Sequence, residues 1–555
     1  MKSAPLALAL LLLLAGCVTS GADLDAAADE ARALEPLSED VFALGAFLSA
    51  KVPSHDGVGI HIDVQLPDAE GPFPTLVQFT PYSSTLNPGT EAWGALRGLD
   101  QEQAFAFADT WVPRGYAVAV AHVRGSGQSG GCFDVGGPDD GLDGYALVEW
   151  IAEQEWSSGK VAMMGTSYVG TTPIVTATTN PPHLTTIVPV SAVPQWYRYY
   201  FENGEPRFFG ELPLGVVYFD HPIWAATGVV PKPRAASAMD PAANAQCAAA
   251  QMENAWVQDD HNAYWKARDY VKDIGNTTVP ILYAHGFLDE NTPTSLVADF
   301  YEAYPAEKRM WLQQHGHGVP GSFEDYHEAV HRWLDHWLMG RDNGALDMPP
   351  VILQDDRGLY HVEAEWPPRN ASWQMMHLAP GALLPEAPAD GTASYTDEPR
   401  GLGEFPGPRE GAVLSFECAP LDAPLHVTGA PVVELVAASD KTDTQWGLLL
   451  YDVAPDGTAS FITRGYLDAR HREDLARGQD LVPGEEALYR ITMHGRDHHV
   501  EAGHTLRLVL TSSDAYVLPD APGATNTVRF GPAGSRLLLP TIPGEGYLDA
   551  APRFA

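Results

Sequence analysis

Positive charge is scarce in this sequence. It has 33 lysine and arginine residues against 72 aspartates and glutamates, which gives a formal net charge of −39. Because phosphate binding needs clustered lysine or arginine, this balance argues against nucleic acid as a partner. The acidic excess is typical of a soluble envelope protein or of a protein from a salty habitat.

Long apolar runs are also scarce, and residues 1–20 contain the one that stands out. Its length of about ten residues is too short for an ordinary membrane-spanning helix and fits an exported signal peptide. Leu14-Ala15-Gly16-Cys17 resembles the lipobox of prokaryotic lipoproteins, which implies lipidation of the Cys17 thiol; the alternative is a plain secretory signal. We therefore expect an exported cell-envelope lipoprotein, facing the periplasm or the cell exterior, that contacts the membrane through its lipid only.

Cysteine is rare, with four residues in the chain. An oxidising compartment permits one disulfide among Cys132, Cys247 and Cys418 and leaves one thiol free. The pairing stays open, with Cys132–Cys247 as a guess. No cysteine–histidine spacing suggests zinc. We interpret four histidines of the C-terminal part as solvated: His494, His498, His499 and His504.

The most informative stretch is KVAMMGTSYVG at 160–170. Its G-x-S-x-x-G is close to the G-x-S-x-G motif, in which a serine occupies a strained turn between a strand and a helix. Glycines flank that serine because side chains would clash where the strand and the helix nearly touch. Residues 139–154 predict a helix before the strand, which is the context that the motif requires. Ser167 is the predicted nucleophile.

The remaining segments predict an α/β-hydrolase domain followed by an all-β domain. Helix-like, aromatic-rich sequence interrupts the alternation of strands and helices, which predicts an inserted helical cap. Short alternating segments between Pro and Gly turns then predict a jelly roll or β-sandwich. Strands of the first domain are predicted at 58–66, 74–80, 115–123, 184–190, 279–285 and 309–313. The predicted divisions are 1–16 signal peptide, 17–45 tether, 46–345 hydrolase domain with the cap at 195–272, and 346–555 jelly-roll domain.

A second glycine motif, GSGQSG at 125–130, matches the G-x-G-x-x-G dinucleotide fingerprint after a strand. Gly131, Gly136, Gly137 and Pro138 continue the loop, so that no helix N-terminus would meet a pyrophosphate. An NAD-dependent enzyme is therefore disfavoured.

A serine nucleophile needs a general base and an acid that orients the base. The first strand after the predicted cap ends at Asp289, and the next strand ends in QHGHG, which gives the order Ser, Asp, His of α/β-hydrolases. Asp289 is the predicted acid, with a helix N-cap as its alternative role. His317 lies between glycines and is favoured over His315 as the base, and a His-x-His metal pair lacks further ligands nearby.

The oxyanion that forms during acyl transfer needs hydrogen-bond donors placed in advance. One candidate is the backbone N–H of Tyr168, which follows the nucleophile. The other is the hydroxyl of Tyr82, from a loop after an early strand, although spacing alone would favour a packed aromatic there.

Several stretches, in order, resemble the family of X-prolyl dipeptidyl-peptidases and cocaine esterases, which includes α-amino-acid ester hydrolases and glutaryl acylases. They include TPYSS, VRGSGQSGG, DGYALVEWIAEQEWSSGKVAMMGTSYVG, HGFLD, QHGHG, WLDHWLMG, APLHVTGAPVVEL and HTLRLVLTSSD. The resemblance spans about 50–514. It implies an α/β-hydrolase domain with a helical cap and a C-terminal jelly roll. It implies a triad of Ser167, Asp289 and His317, the Tyr82 hydroxyl in the oxyanion hole, and no cofactor.

The chain departs from this family pattern at three points. The base usually follows a Gly-Pro-Trp-x turn, which QHG replaces here. His122 stands where an acid is common. Amino-acid ester hydrolases carry further acids after the triad Asp, and the single Glu290 disfavours that subclass.

These features predict a serine hydrolase that cleaves an ester or an amide/peptide bond through an acyl-enzyme, on a small ester or a short peptide. An X-prolyl dipeptidyl-peptidase must also hold an α-ammonium group. Four cap acids are available for this, although surface solvation is the simpler role for each: Glu202, Glu205, Glu211 and Asp220. The alternative function is a non-catalytic envelope binding protein on a hydrolase scaffold. The oligomeric state is not indicated.

Overall fold

The computed structural model describes residues 34–82, 106–207, 247, 251, 253, 262–320, 323–397, 413–512, 514, 516–517, 523–543 and 547–548. The predicted signal peptide, Cys17, Glu211 and Asp220 lie outside these residues. Within the described part, no helix has both the length and the apolar character needed to cross a membrane.

Two large sheets organise the described chain. The first has ten strands in the order β1-β2-β4-β3-β5-β6-β9-β10-β11-β12. Its strands are β1 Leu44–Pro53, β2 Gly59–Pro67, β3 Phe73–Thr80, β4 Ala117–His122, β5 Ser157–Thr166, β6 Leu184–Val190, β9 Ile281–Gly286, β10 Lys308–Gln313, β11 Val351–Gln354 and β12 Tyr360–Glu363, while β7 Phe201–Glu202 and β8 Glu205–Pro206 form a separate hairpin. The strands from β4 to β11 are parallel neighbours, and the edges are antiparallel.

Helices cover both faces of this sheet. They are α1 Pro138–Ala152, α2 Tyr168–Thr178, α3 Trp196–Tyr200, α4 Ala263–Lys266, α5 Tyr270–Asp273, α6 Ala298–Ala303 and α7 Phe323–Leu334, which continues as a π-helical turn over Asp335–Met339. Every residue of β4 is buried, because successive side chains of a strand alternate between two covered faces. Ala117, Ala119 and Ala121 pack in the core on the α1/α2 side, and Val118 and Val120 in the core on the α7 side.

The first sheet extends beyond the predicted domain boundary. β11 pairs parallel with β10, and β12 pairs antiparallel with β11. The break between the two sheets therefore comes after Glu363. Part of the predicted tether also docks on this domain, because the backbone N–H of Ser38 donates to Asp335 Oδ2 at 2.6 Å and Ser38 is buried.

The second domain is all β, as predicted. Its described strands form one network of 13 around a large apolar core, with a smaller cluster of Tyr466, Tyr516 and Val517 beside it. They are β13 Ser372–Ala379, β14 Ala382–Leu384, β15 Gly391–Thr396, β16 Leu414–Glu417, β17 Leu425–Gly429, β18 Val432–Ser439, β19 Gln445–Val453, β20 Ala459–Asp468, β21 Ala487–Thr492, β22 Arg496–Val500, β23 Thr505–Thr511, β24 Thr525–Phe530 and β25 Arg536–Ile542.

The described cysteines divide into a bonded pair and a buried thiol. Cys132, in the glycine-rich loop, is joined to Cys247 of the predicted cap, with their Cα atoms 5.5 Å apart. Cys418 lies free in the second domain. The pairing that the sequence left open is thus Cys132–Cys247.

Candidate active site

Ser167 occupies a strained turn between β5 and α2. Its φ of 64° and ψ of −126° are sparsely populated for a residue with a side chain, and such a conformation costs about 1–3 kcal/mol. The turn is held by the Ser167 N–H, which donates to the Val190 carbonyl at 2.9 Å, and by the Ser167 carbonyl, which accepts from Thr171 N–H at 2.9 Å. The geometry is that of the elbow that the motif predicts.

The position of the last glycine in the motif has a steric reason. A Cβ on Gly170 would lie 2.6 Å from the Val190 carbonyl oxygen and 2.8 Å from the Gly165 carbonyl oxygen. Any larger residue would push α2 away from β5 and β6. The close approach of helix and strand is therefore why glycine occupies this position.

Tyr82 lies beside the elbow. Its hydroxyl donates to Ser167 Oγ at 3.4 Å, and its backbone N–H donates to Thr80 Oγ1 at 3.0 Å, which holds the turn after β3. Because β3 and β5 are parallel neighbours, their carboxyl ends meet at one edge of the sheet. Two of the predicted site residues are thus brought together.

Tyr168 is the first residue of α2. The first N–H groups of a helix have no acceptor within it and carry the positive end of its dipole. The Tyr168 hydroxyl donates to Asp140 Oδ2 at 2.5 Å and accepts from the Gly136 N–H, while its ring packs against Phe133 and Trp196. The side chain of Tyr168 therefore fixes the elbow against the loop before α1.

Asp140 is a residue of this site that the sequence reasoning missed. It is fully buried, and burial followed by the nearby Asp134 raises its pKa well above the usual value. The sequence did offer a signal for Asp140. Three aspartates, Asp139, Asp140 and Asp143, stand at the start of the predicted helix, and one or two acids are enough to stabilise the N-terminus of a surface helix.

Asp289 and His317 form a second pair at the ends of β9 and β10. His317 Nδ1 lies 2.8 Å from Asp289 Oδ2, and Asp289 Oδ1 accepts the backbone N–H groups of Asn291 and Thr292 at 2.9 and 2.8 Å. Burial alone would raise the pKa of Asp289, but the hydrogen bond from His317, the His285 ring and the Thr292 hydroxyl hold it well below the usual value. The two backbone bonds stay within the loop, because the next helical turn begins at Thr294 with Pro293 at its N-cap. Asp289 therefore contacts His317 and does not cap a helix, which was the alternative role.

His315 is turned away from this pair. Its Nδ1 lies 3.4 Å from the carbonyl oxygen of Gln313, its Nε2 is buried without a hydrogen-bond partner among the described residues, and burial lowers its pKa. His317 is by contrast about a third exposed, at 30%. His317 is thus the histidine at hydrogen-bonding distance from Asp289.

Ser191 links the elbow to both loops. Its hydroxyl donates to the Gly318 carbonyl at 3.3 Å, and its own carbonyl oxygen lies 3.3 Å from the Thr292 hydroxyl, whose proton goes to Asp289 Oδ2 at 2.7 Å. Val190, the preceding residue, accepts the N–H of Ser167. The end of β6 therefore ties together the nucleophile turn, the Asp289 loop and the His317 loop, and no sequence motif indicated this.

His285 is another buried residue that the sequence reasoning missed. Its Nε2 lies 2.5 Å from the Thr292 carbonyl and 3.9 Å from Asp289 Oδ2. Burial lowers the pKa of His285 to about 4, so the ring is neutral at pH 7 and Nε2–H donates to Thr292. Through this hydrogen bond His285 holds Thr292, and with it the loop that carries Asp289.

The described cap acids are not solvated, and that interpretation was wrong. Glu202 and Glu205 are 5% and 0% exposed. Glu202 Oε1 lies 2.6 Å from His494 Nε2, and its Oε2 lies 4.0 Å from Arg207 Nε. The hairpin β7–β8 buries these acids because it packs on the second domain.

Three of the four C-terminal histidines also differ from their solvated interpretation. His494 and His498 are buried, and His499 is shielded at its side chain, which is 9% exposed. His498 and His504 contact Asp452 at 3.3 and 2.7 Å. His494 faces Glu202 of the β7–β8 hairpin, and His498 and His504 face Asp452 of β19, contacts that spacing alone does not reveal.

Glu290 is also committed to ion pairs. Its carboxylate lies 3.5 Å from Arg464 Nε and 3.6 Å from Arg496 Nη2, both from the second domain. Arg207, fully buried, donates to the carbonyls of Glu290 and Asn291 at 3.0 and 2.9 Å. The residues after Asp289 are thereby anchored to the second domain.

The glycine-rich loop after β4 has a packing role. Residues 123–137 contain no helix, and α1 begins only at Pro138, as the sequence indicated. Gly127 has a φ of 49°, and a Cβ there would lie 2.2 Å from His122 Nδ1. The glycines let the loop fold back over His122, whose ring lies 5.0 Å from that of His61.

Together these features define a class of protein. A serine at a strand-to-helix elbow in a mostly parallel sheet, with an Asp–His pair at the ends of later strands, is the arrangement of an α/β-hydrolase serine hydrolase. Residues 56–319 match the sequence model of the X-Pro dipeptidyl-peptidase (S15 family), and residues 343–533 match that of the X-Pro dipeptidyl-peptidase C-terminal non-catalytic domain. The chain thus carries an S15-type catalytic domain followed by the C-terminal non-catalytic domain, and it is a serine hydrolase of the esterase or X-Pro dipeptidyl-peptidase type.

The chain is similar to relatives named as peptidases and to relatives named as esterases. A Streptomyces avermitilis protein, provisionally named Xaa-Pro dipeptidyl-peptidase, is 25% identical over 86% of this chain and 79% of its own length. A Mycobacterium bovis protein, provisionally named serine esterase, is 25% identical over 89% of this chain and 95% of its own length.

Solved structures share the fold. An aminopeptidase from a marine sediment Thaumarchaeota archaeon superposes with a TM-score of 0.73 at 20% identity, over 93% of this chain and 99% of the other. A CocE/NonD family hydrolase from Staphylococcus aureus gives 0.70 at 20% identity, over 89% and 94%. An α-amino acid ester hydrolase gives 0.71 at 19% identity, over 93% and 99%.

Proposed function

We propose that Ser167 attacks an ester or amide carbonyl while His317 accepts its proton and Asp289 orients the imidazole. The Tyr82 hydroxyl and the Tyr168 N–H stabilise the oxyanion. His317 then protonates the departing alcohol or amine, and an acyl-enzyme remains on Ser167 Oγ. Water attacks this ester while His317 takes a water proton. His317 then gives that proton to Ser167 Oγ as the acyl–Oγ bond breaks and the acid product leaves. The observation that carries the proposal is the strained Ser167 with the Tyr82 hydroxyl 3.4 Å from its Oγ.

Among the substrates of such an enzyme, we propose a carboxylic ester first. A dipeptidyl-peptidase needs a carboxylate for the substrate α-ammonium group. Glu202 faces His494 and Arg207, and Glu290 faces Arg464 and Arg496. Because these charges already have partners, neither carboxylate is well placed to hold a free amine.

An X-Pro dipeptide substrate is the second candidate. Its support is that relatives similar over most of this chain carry the name Xaa-Pro dipeptidyl-peptidase. Glu211 and Asp220, which the sequence suggested as amine ligands, lie outside the described residues.

Hydrolysis of two chromogenic substrates separates the candidates. The full-length chain in detergent would be given p-nitrophenyl butyrate and alanyl-prolyl p-nitroanilide, with Ser167→Ala as the control. We expect turnover of the ester that exceeds turnover of the anilide and that the control loses. Dominant anilide turnover would establish the second candidate, and no turnover above the control on either substrate would favour a non-catalytic binding protein.

Tyr82→Phe should lower kcat by about a hundred- to a thousand-fold with little change in KM, because one oxyanion donor is lost while the ring keeps its packing. The matched control is Tyr326→Phe. That hydroxyl is buried without a partner among the described residues, and its ring belongs to the core side of α7. Steady-state kinetics on the ester should leave the control unchanged; an equal loss in both variants would contradict the role of Tyr82.

The choice between the two histidines can be tested by parallel substitution. His317→Gln should reduce kcat by at least about ten-thousand-fold, as removal of a triad base does elsewhere. His315→Gln should cost less than about ten-fold, because its ring does not contact Asp289. A larger loss at His315 would reverse the assignment.

We further propose that the chain is an exported lipoprotein anchored through Cys17. The lipobox-like sequence supports this, and the Cys132–Cys247 disulfide is in keeping with an oxidising compartment. Metabolic labelling with a fatty acid should tag the wild type and not Cys17→Ala. Equal labelling of both proteins, or of neither, would contradict the anchor.

A further inference from the structure

A buried cluster of two histidines and an aspartate joins the two sheets. His361 lies on β12, at the edge of the first sheet. His426 and Asp497 lie on β17 and β22 of the second domain, which pair so that Thr428 is opposite Asp497. His426 and Thr428, two residues apart on one strand, therefore share a face with Asp497.

Both imidazole rings turn the same nitrogen toward one carboxylate. His361 Nε2 lies 2.6 Å from Asp497 Oδ2, and His426 Nε2 lies 2.5 Å from Asp497 Oδ1. The Thr428 hydroxyl lies 2.9 Å from His426 Nε2. Among the described residues, one group of three His, Cys, Asp or Glu side chains has all its possible metal-binding atoms within 4.8 Å of each other, and it consists of His361, His426 and Asp497.

The outer nitrogens of both rings also have partners. His361 Nδ1 lies 3.3 Å from Glu363 Oε1, and His426 Nδ1 contacts the Tyr547 hydroxyl. Histidines that bind metals typically have the second nitrogen held by a carboxylate or another polar group, which fixes the ring orientation. The cluster thus has an inner set of convergent atoms and an outer set that orients them.

The cluster holds two shielded carboxylates. Asp497 is fully buried and Glu363 largely so, with side chains 0% and 14% exposed. Buried charges are ordinarily paired or bound to a metal. In this cluster the positive charge comes either from protons on the imidazole rings or from a metal cation that replaces those protons, because a histidine binds metal as the neutral ring.

We propose that His361 Nε2, His426 Nε2 and an Asp497 oxygen bind one divalent transition-metal ion, of which Zn²⁺ fits the ligand set best. Imidazole nitrogen and carboxylate oxygen are ordinary ligands of zinc. The Thr428 hydroxyl, 2.9 Å from His426 Nε2, completes the tetrahedron. Metal–ligand distances of about 2.0–2.1 Å require ligand atoms about 3.3 Å apart, so the two Nε2–carboxylate separations of 2.6 and 2.5 Å would open by about 0.7–0.8 Å.

The site is structural. The three ligand residues are buried, which leaves no open position for a substrate, and closed coordination is the mark of a structural zinc. Gln314, in the loop that carries His317, donates its side-chain amide to the Asp497 carbonyl at 2.8 Å. The metal would join β17 and β22 of the second domain to β12 at the edge of the first sheet. Asp497 would thereby connect the metal to the loop that carries His317, through Gln314.

Metal content of the purified full-length chain tests this directly. The chain would be stripped with a chelator, dialysed against Zn²⁺ and then against buffer, and analysed by atomic emission. We expect about one Zn²⁺ per chain, and a melting temperature of the stripped protein that rises when Zn²⁺ is added. X-ray absorption of this sample should show two imidazole ligands and no sulfur.

Variants assign the metal to these residues. His426→Gln should lose the bound Zn²⁺, and Glu363→Gln, which leaves the ligands in place, should weaken binding about ten- to a hundred-fold. The control is His504→Gln, which removes an imidazole from Asp452 elsewhere in the domain and should keep the full zinc content. Failure of the wild type to retain zinc, sulfur ligation, or equal retention by Glu363→Gln would overturn the proposal.

Discussion

Replacement of Ser167 by alanine is expected to lower kcat by about a million-fold on whichever substrate the enzyme cleaves. The hydroxyl is the nucleophile in the proposed mechanism, and the backbone turn that presents it persists without it. Activity near that of the wild type in Ser167→Ala would exclude Ser167 as the nucleophile.

Replacement of Ser167 by glycine tests the backbone strain at this position separately from the loss of the nucleophile. At the φ of 64° and ψ of −126° of Ser167 a Cβ is unfavourable, so Ser167→Gly should relieve about 1–3 kcal/mol. Roughly 1 kcal/mol of this is offset because glycine gains freedom in the unfolded chain. We expect Ser167→Gly to be inactive and more stable than Ser167→Ala by about 1 kcal/mol.

The comparison of these two variants uses the denaturation transition of the first domain, followed in urea, because two domains need not unfold together. Alanine is the matched reference, since both variants lack the hydroxyl. A glycine variant no more stable than the alanine variant would show that the turn stores no strain.

Arg124→Met is expected to destabilise the first domain by about 3–5 kcal/mol. The guanidinium is 3% exposed and donates to both oxygens of Asp143, at 2.8 and 2.6 Å. It also donates to Asp139 at 2.7 Å and to Asp56 at 3.1 Å. Without the arginine, the Asp143 carboxylate stays buried without its counter-charge, which accounts for most of the loss.

Two further variants of the chain test whether the buried charge causes the loss of stability. Arg124→Met combined with Asp143→Leu should recover at least about 2 kcal/mol, because an apolar pair replaces the stranded carboxylate. Arg114→Met, which loses a pair with the 60%-exposed Asp40, should cost no more than about 1 kcal/mol. Equal losses at Arg114 and Arg124, measured by urea unfolding, would contradict the account.

Arg124 also connects stability to the active site. Its loop continues to Phe133, which packs on the Tyr168 ring, and to Gly136, whose N–H contacts the Tyr168 hydroxyl. Tyr168 follows the nucleophile, so a loosened loop would disturb the oxyanion donor. Arg124→Met should therefore lose activity before it unfolds.

Local chemistry along the chain determined the main parts of this protein. The run of apolar residues followed by a serine between small residues predicted the elbow, because only glycine tolerates the approach at Gly170. The strand ends that carry Asp289 and His317 were readable in the same way, since parallel strands deliver their carboxyl ends to one edge of a sheet. The jelly-roll strands followed from their alternation.

Tertiary structure alone decided the contacts between segments that are distant in sequence. Ser191 joins the loops of the active site through backbone carbonyls, which carry no sequence signal. Glu202 and Glu290 read as surface or substrate-binding acids until the second domain supplied His494, Arg464 and Arg496. His361 and His426 lie 136 and 71 residues from Asp497, and no spacing rule spans such distances. The sequence determines which side chains carry a charge. The tertiary structure determines which charged side chains become neighbours, because these come from segments that pack together only in the folded chain.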